Sequence, residues 1–95
     1  LLVAARMPGA SFRKASLQRL DFSQADLSRA DFREATFEDC SLKDAVLEDA
    51  RFEGADLRGA DLGGLKLAKA GAFRGAVISG RQAGQLLSEL GLVVR

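Results

Sequence analysis

The chain has 95 residues, 47% of them hydrophobic and 28% charged, with a formal net charge of +1 and no His, Trp or Tyr. That length allows one domain at most, close to the size at which a compact core becomes hard to stabilise. The balanced charge lacks the strongly basic mark of a nucleic-acid binder and the strongly acidic mark of a phosphate mimic, and the single Cys40 leaves no intrachain disulfide and no need for an oxidising compartment.

The opening "LLVAARMPGA" carries an apolar run too short for a secretory core or a membrane span, so a cytoplasmic setting is expected. Beginning at Leu1 rather than at Met, the chain reads as a trimmed form or the end of a longer protein. From there a five-residue register takes over. Large apolar residues stand at Leu2, Met7, Phe12, Leu17, Phe22, Leu27, Phe32, Phe37, Leu42, Leu47, Phe52, Leu57, Leu62 and Leu67. We call these positions centres. Two residues before each centre from Met7 onward the side chain is small, except at Leu20 and Leu65, and the other three positions hold nearly all the charge. A period of five suits neither a helix, at about 100° per residue, nor a strand, whose faces alternate every second residue. It suits a chain that turns a corner every five residues and sends two of each five inward. With four sides to a coil, centres 20 apart stack, so Phe12, Phe32 and Phe52 form one ladder beside Leu17, Phe37 and Leu57.

After Leu67 the period slips by one residue, and "AGAFRGAVIS" puts the next centres at Phe73 and Ile78, with Gly71 and Ala76 as their small partners. A one-residue bulge accounts for the slip and returns Phe73 to the phenylalanine wall. The fold class expected is an all-β solenoid of about four coils, spanning 1–79.

From Ser79 the pattern becomes helical. Ser79 and Gln82 form a capping box, Ala83, Leu86, Leu87 and Leu90 recur at helical spacing, and Gly91 supplies the stop. An amphipathic helix of about ten residues is predicted to lay its apolar stripe on the last coil and close the end, so that 79–95 is a cap and tail of the same domain. The tail residues Leu92, Val93 and Val94 exceed what a cap needs. With Leu86, Leu87 and Leu90, the tail residues Leu92 and Val93 are the candidates for a cap that doubles as a two-fold dimer contact, the alternative being a tail folded back on its own coil.

The units "ADLSR" (25–29), "ADFRE" (30–34), "ADLRG" (55–59) and "ADLGG" (60–64) resemble the pentapeptide-repeat family, whose units read A-[DN]-[LF]-x-x, and the resemblance runs from residue 5 to about 80. It implies a right-handed quadrilateral β-helix. The segment "GAVISGRQAGQLLSELGL" is similar to the C-terminal helix of the bacterial members that protect DNA gyrase from quinolones, several of which dimerise through it. In those members an acidic rod resembling duplex DNA carries the function.

Charge along this chain is uneven: six basic and three acidic residues in 1–33, three and nine in 34–61, five and one in 62–95. The candidate partner-binding band is Glu34, Glu38, Asp39, Asp44, Glu48, Asp49 and Glu53, continued by Asp56 and Asp61. Duplex DNA carries one charge per about 1.7 Å, so a mimic needs an acidic rod of several coils, whereas this band spans little more than one and has basic flanks. A solvated band with cross-coil ion pairs is the simpler reading. Asp21, Asp26, Asp31, Asp56 and Asp61 each precede a centre, which assigns them to the turn chemistry of the repeat.

Without histidine there is no imidazole base or ligand, and Cys40 occupies an alanine position in the inward column, as a buried structural thiol would. Asp39 and Asp44 are expected on a convex surface without a cleft. The sequence therefore points to a non-catalytic protein with no cofactor and no metal, acting as a scaffold or protein interaction module. Its partner is a protein, with no direct nucleic-acid or membrane contact. The alternative is a DNA mimic that binds gyrase or another topoisomerase and shields it from quinolone-type inhibitors.

Overall fold

A computed structural model describes residues 2–65 and 70–95. Within each five-residue unit the chain bends at the corner after the centre. The centre's carbonyl accepts the amide of the small residue three positions on, as in Phe12 to Ala15 (3.0 Å), Leu27 to Ala30 (3.0 Å) and Phe52 to Ala55 (3.0 Å). The residue before that small one takes a left-handed backbone, with φ of 60° at Lys14, Arg29 and Glu34 and 71° at Gly54. These are the features of a type II turn, repeated along the chain.

Each corner brings a centre back under the centre one coil earlier. The Met7, Phe12 and Phe32 amides donate to the Asp26, Asp31 and Arg51 carbonyls (2.8, 2.7 and 2.8 Å), while the Asp26 and Asp31 amides donate the other way, to the Ala5 and Ala10 carbonyls (2.8 and 2.9 Å). Pairing is parallel and 20 residues apart, in isolated bridges such as Ser11 with Asp31 and Asp31 with Arg51. Two pairings lengthen into short strands: β1 (Ser16–Gln18) with β2 (Thr36–Glu38), and β3 (Cys40–Ser41) with β4 (Ala60–Asp61). Among the described residues no sheet exceeds two strands. Gly59, just before β4, is required by close approach, because a Cβ there would overlap the Phe37 carbonyl oxygen and crowd Glu38.

The core consists of the centres and their small partners. Phe22, Leu27 and Phe32 and the alanines 25, 30, 35 and 55 have no solvent exposure. Phe12, Phe32, Phe52 and Phe73 form one column of near-parallel rings with centroids 5.0, 5.0 and 5.1 Å apart, the spacing that paired strands impose.

Up to Asp61 the amide-to-carbonyl step is 19 residues, as in Leu42 to Asp61, but Phe52 donates to Ala72 and Leu57 to Val77, a step of 20. One residue has therefore been gained between these points, and Phe73 rejoins its column. The expected centre Leu67 lies outside the described residues. Gly71 does not face inward as expected. It lies exposed in a short 3-10 helix, Ala70–Phe73, and Ile78 is likewise exposed because the chain leaves the coil at the next residue to start a helix.

That helix, α1 (Gly80–Glu89), has Ser79 as its N-cap, with the reciprocal Ser79 and Gln82 bonds of a capping box. It ends in a Schellman motif: the Gly91 amide (φ 88°) bonds Ser88 and the Leu92 amide bonds Leu87. The buried face differs from the expected stripe. Gln82 and Leu86 are buried, whereas Leu87 and Leu90 point outward. The reason is polar: the Gln82 side-chain amide donates to the carbonyls of Leu57 (2.6 Å) and Ala60 (2.8 Å), replacing the amides a further coil would have brought. Glu89 adds a second tie by accepting the Gly64 amide at 3.0 Å.

Candidate interaction surface

The aspartates that precede centres are held within their own turns. Oδ1 of Asp21, Asp26, Asp31, Asp56 and Asp61 accepts the backbone amide two residues on, from Ser23, Ser28, Arg33, Arg58 and Gly63, at 2.9, 3.1, 3.0, 3.1 and 2.9 Å. In two units the residue two positions on is Arg, and its guanidinium closes a two-pronged ion pair: Arg33 on Asp31 at 2.9 and 2.7 Å, and Arg58 on Asp56 at 3.0 and 2.8 Å. Hydrogen bonding from the Arg33 side chain lowers the Asp31 pKa to about 2. The Arg58 side chain lowers that of Asp56, and the Ser28 hydroxyl lowers that of Asp26. These carboxylates are committed to backbone and neighbours, so they belong to the scaffold.

The acidic band is arranged differently. Glu34, Asp39, Asp44 and Asp49 occupy four successive left-handed corners, one in each five-residue unit of a single coil, with φ between 51° and 60°. One coil earlier the equivalent corners carry Lys14, Arg19, Gln24 and Arg29. One coil later Gly54, Gly59 and Gly64 stand in those places. A ring of carboxylates thus lies over a mainly cationic ring, and Lys14 approaches Glu34 at 3.8 Å. Both side chains are more than half exposed, which keeps this pair weak. Glu38 accepts from Gln18 at 3.3 Å, again across one coil. Glu53 is half-buried and paired with Arg51 of its own unit, which lowers its pKa.

The band therefore encircles the axis and does not run along it. Asp44, Glu48 and Asp49 do come together, on the rim of an open groove of ≈ 600 Å³ whose floor includes Leu47, Leu65 and Phe73. This corrects the expectation of a convex surface beside Asp44. The groove adjoins residues 66–69, outside the described residues. Cys40 is buried, its thiol donating to the carbonyls of Leu17 and Glu38 at 3.3 Å each. Among the described residues no three His, Cys, Asp or Glu side chains gather as metal ligands, and no helix is long and apolar enough to cross a membrane.

At the C-terminal end the candidate residues divide. Leu86 packs into the coil, while Leu87, Leu90, Leu92 and Val93 are 39%, 67%, 56% and 77% exposed. The tail turns back along α1, with Val94 beside Gly84, instead of folding onto the last coil. Gln82 is the residue that sequence reasoning left in the capping box alone. Its burial was signalled by its helical spacing to Leu86, one turn on.

Two solved structures of QnrB1, described as a plasmid-mediated fluoroquinolone resistance protein, are similar to this chain at 25% identity, with TM-scores of 0.45 and 0.44; both are trypsin-treated variants. The similarity covers 95% of this chain and 45% of QnrB1, so the chain spans less than half the length of that protein. No curated protein matches the chain. Residues 2–33 and 25–64 match the pentapeptide-repeats family in eight copies. That match extends over more than half of the sequence, and the chain belongs to the pentapeptide-repeat family.

Proposed function

We propose that the protein is a non-catalytic interaction module of the cytoplasm: a right-handed quadrilateral β-helix of about four coils, capped by α1, that presents variable corner residues to a protein partner. The observation that carries this reading is the division of labour among carboxylates. Repeat aspartates are consumed by turns, whereas Glu34, Asp39, Asp44 and Asp49 hold corner positions that the repeat leaves free to vary. A rigid rod with an addressable ring is suited to docking, and a ring around the axis is a poor copy of charges spaced along a duplex.

The test is capture of partners from bacterial cytosol by the protein and by a variant carrying Glu34→Gln, Asp39→Asn, Asp44→Asn and Asp49→Asn. Asparagine tolerates the left-handed region, so the corners persist while the charge goes. A partner retained by the parent and lost by the variant supports the reading; equal capture by both removes the ring as its basis. The topoisomerase alternative predicts inhibition of gyrase supercoiling, or protection from a quinolone, at micromolar protein. The ring geometry leads us to expect neither.

The same reading includes a two-fold contact between copies, through Leu87, Leu90, Leu92 and Val93, which support it by lying exposed together at one end. Changing Leu87 and Val93 to Ser should halve the sedimenting mass. A parent that is already monomeric removes the contact.

A further inference from the structure

The first coil presents an unfinished backbone edge. In the second coil the Asp26 and Asp31 amides donate to Ala5 and Ala10, and the Asp26, Ser28, Asp31 and Arg33 carbonyls accept from Met7, Gly9, Phe12 and Lys14. The same positions one coil earlier are Arg6, Pro8, Ser11 and Arg13. Among the described residues the Arg6 and Ser11 amides donate to no backbone carbonyl, and none of these four carbonyls accepts a backbone amide. The apolar columns stop there as well. Phe32 is fully buried between two rings, whereas Phe12 has a ring on one face only and is half-buried, as are Leu2 and Met7. An edge with in-register donors, acceptors and a partly exposed apolar row is the kind of template that extended segments join.

The charges select what joins it. Residues 1–20 contain Arg6, Arg13, Lys14 and Arg19 and no Asp or Glu, and the coil stacked on their other side carries Glu34, Glu38 and Asp39. Coil-on-coil contact in this molecule thus already pairs a cationic layer with an anionic one, as Lys14 with Glu34 shows. A second copy meeting this edge head to head would set one cationic layer against another, and a head-to-tail copy would meet α1, whose Gln82 occupies the last coil's carbonyls. Self-assembly through this edge is disfavoured from both directions.

We infer that the N-terminal edge of the solenoid docks, by parallel backbone pairing, an extended segment of another protein that has a large apolar residue every fifth position and carboxylates at its corners. The inference rests on the interaction-module reading and supplies a partner class for it.

Two synthetic 20-residue peptides of four A-S-L-S-x units, with Glu or Lys as x, provide the test. The Glu peptide should bind, slow hydrogen exchange at the Arg6 and Ser11 amides by at least tenfold, and bind less tightly as salt rises. The Lys peptide, and the Glu peptide against an R6E/R13E variant, should bind at least tenfold more weakly. Because the peptide exchange needs no altered protein, it stands even if the variant misfolds. Equal binding of both peptides, unchanged exchange at Arg6 and Ser11, or a self-associated protein in which those amides are already protected would each overturn the inference. If the peptides fail while cytosolic capture still depends on the acidic corners, the edge is refuted and the interaction-module reading stands.

Discussion

At the C-terminal end, Gln82 lies buried against the coil and its amide satisfies the carbonyls of Leu57 and Ala60; at the N-terminal end, the Arg6 and Ser11 amides have no backbone acceptor among the described residues. Both ends interrupt the same 20-residue pairing, and only one carries a substitute for the missing coil. A solenoid coil draws its stability from its neighbours, so the comparison separates what the repeat supplies everywhere from what each end adds. The phenylalanine column records the difference: Phe52 is 1% exposed and Phe12 falls in the half-buried range although both hold equivalent positions.

The largest expected effect breaks that column. Phe32→Ala removes a ring stacked on both faces and should cost about 3–5 kcal/mol in urea unfolding, enough to unfold much of a domain of this size. Phe12→Ala should cost less than half as much, since that ring begins half-buried with one stacked neighbour. Equal losses would mean that the open end is covered in solution.

Next in size is the capped end. Gln82→Leu keeps the bulk but leaves the Ala60 carbonyl without its side-chain donor, and should cost about 1–3 kcal/mol. Amides of α1 should then exchange faster, with those around Phe32 unchanged. An α1 that stays protected would show that Leu86 and Glu89 hold it without Gln82.

A smaller effect comes from the turns. Asp31 has its pKa lowered to about 2 by the Arg33 side chain, against an ordinary value of 3.8. A depressed folded-state pKa contributes stability that is present above the unfolded value and lost as pH falls through the folded one. Unfolding free energy should therefore drop between about pH 4 and pH 2, and Asp31→Asn, which keeps an oxygen for the Arg33 amide, should flatten that drop while leaving the fold intact. An unchanged acid limb would place the titrating groups elsewhere, in Asp26 or Asp56.

Most of the coil was legible in the sequence because its rule is local: a large residue every fifth position, a small one two before it, and an aspartate whose turn bond reaches only two residues. The phenylalanine column across the one-residue slip was legible for the same reason. What escaped were long-range events. Gln82 reads as part of a capping box, and nothing local announces that its amide reaches carbonyls 25 and 22 residues back. That polar anchor turns α1 so that Leu87 and Leu90, which periodicity alone puts on the coil, face outward. Ile78 and Gly71 fit the register as letters, yet the chain is already leaving the coil around them. The carboxylate ring was legible only as a block of acidic sequence; its encirclement of the axis needs the 20-residue pairing to be seen.

The smallest effect concerns the corners. Lys14, Arg29 and Glu34 hold φ of 60°, where an L side chain is strained and glycine is not; Gly54 and Gly75 already fill the next places in the Lys14 column. The left-handed region costs a non-glycine residue about 1–2 kcal/mol, and glycine returns part of that gain by loosening the unfolded chain. Lys14→Gly also gives up an exposed pair with Glu34, which is worth little. The balance favours the glycine by about 0.5 kcal/mol, a rise of a few degrees in Tm for a domain of this size. At Arg6, whose backbone is not left-handed, the same change should lower Tm instead. A Tm that falls equally at both positions would show that the corner is relaxed, and that Glu34 and Lys14 are held by their pairing across the coils and not by the turn.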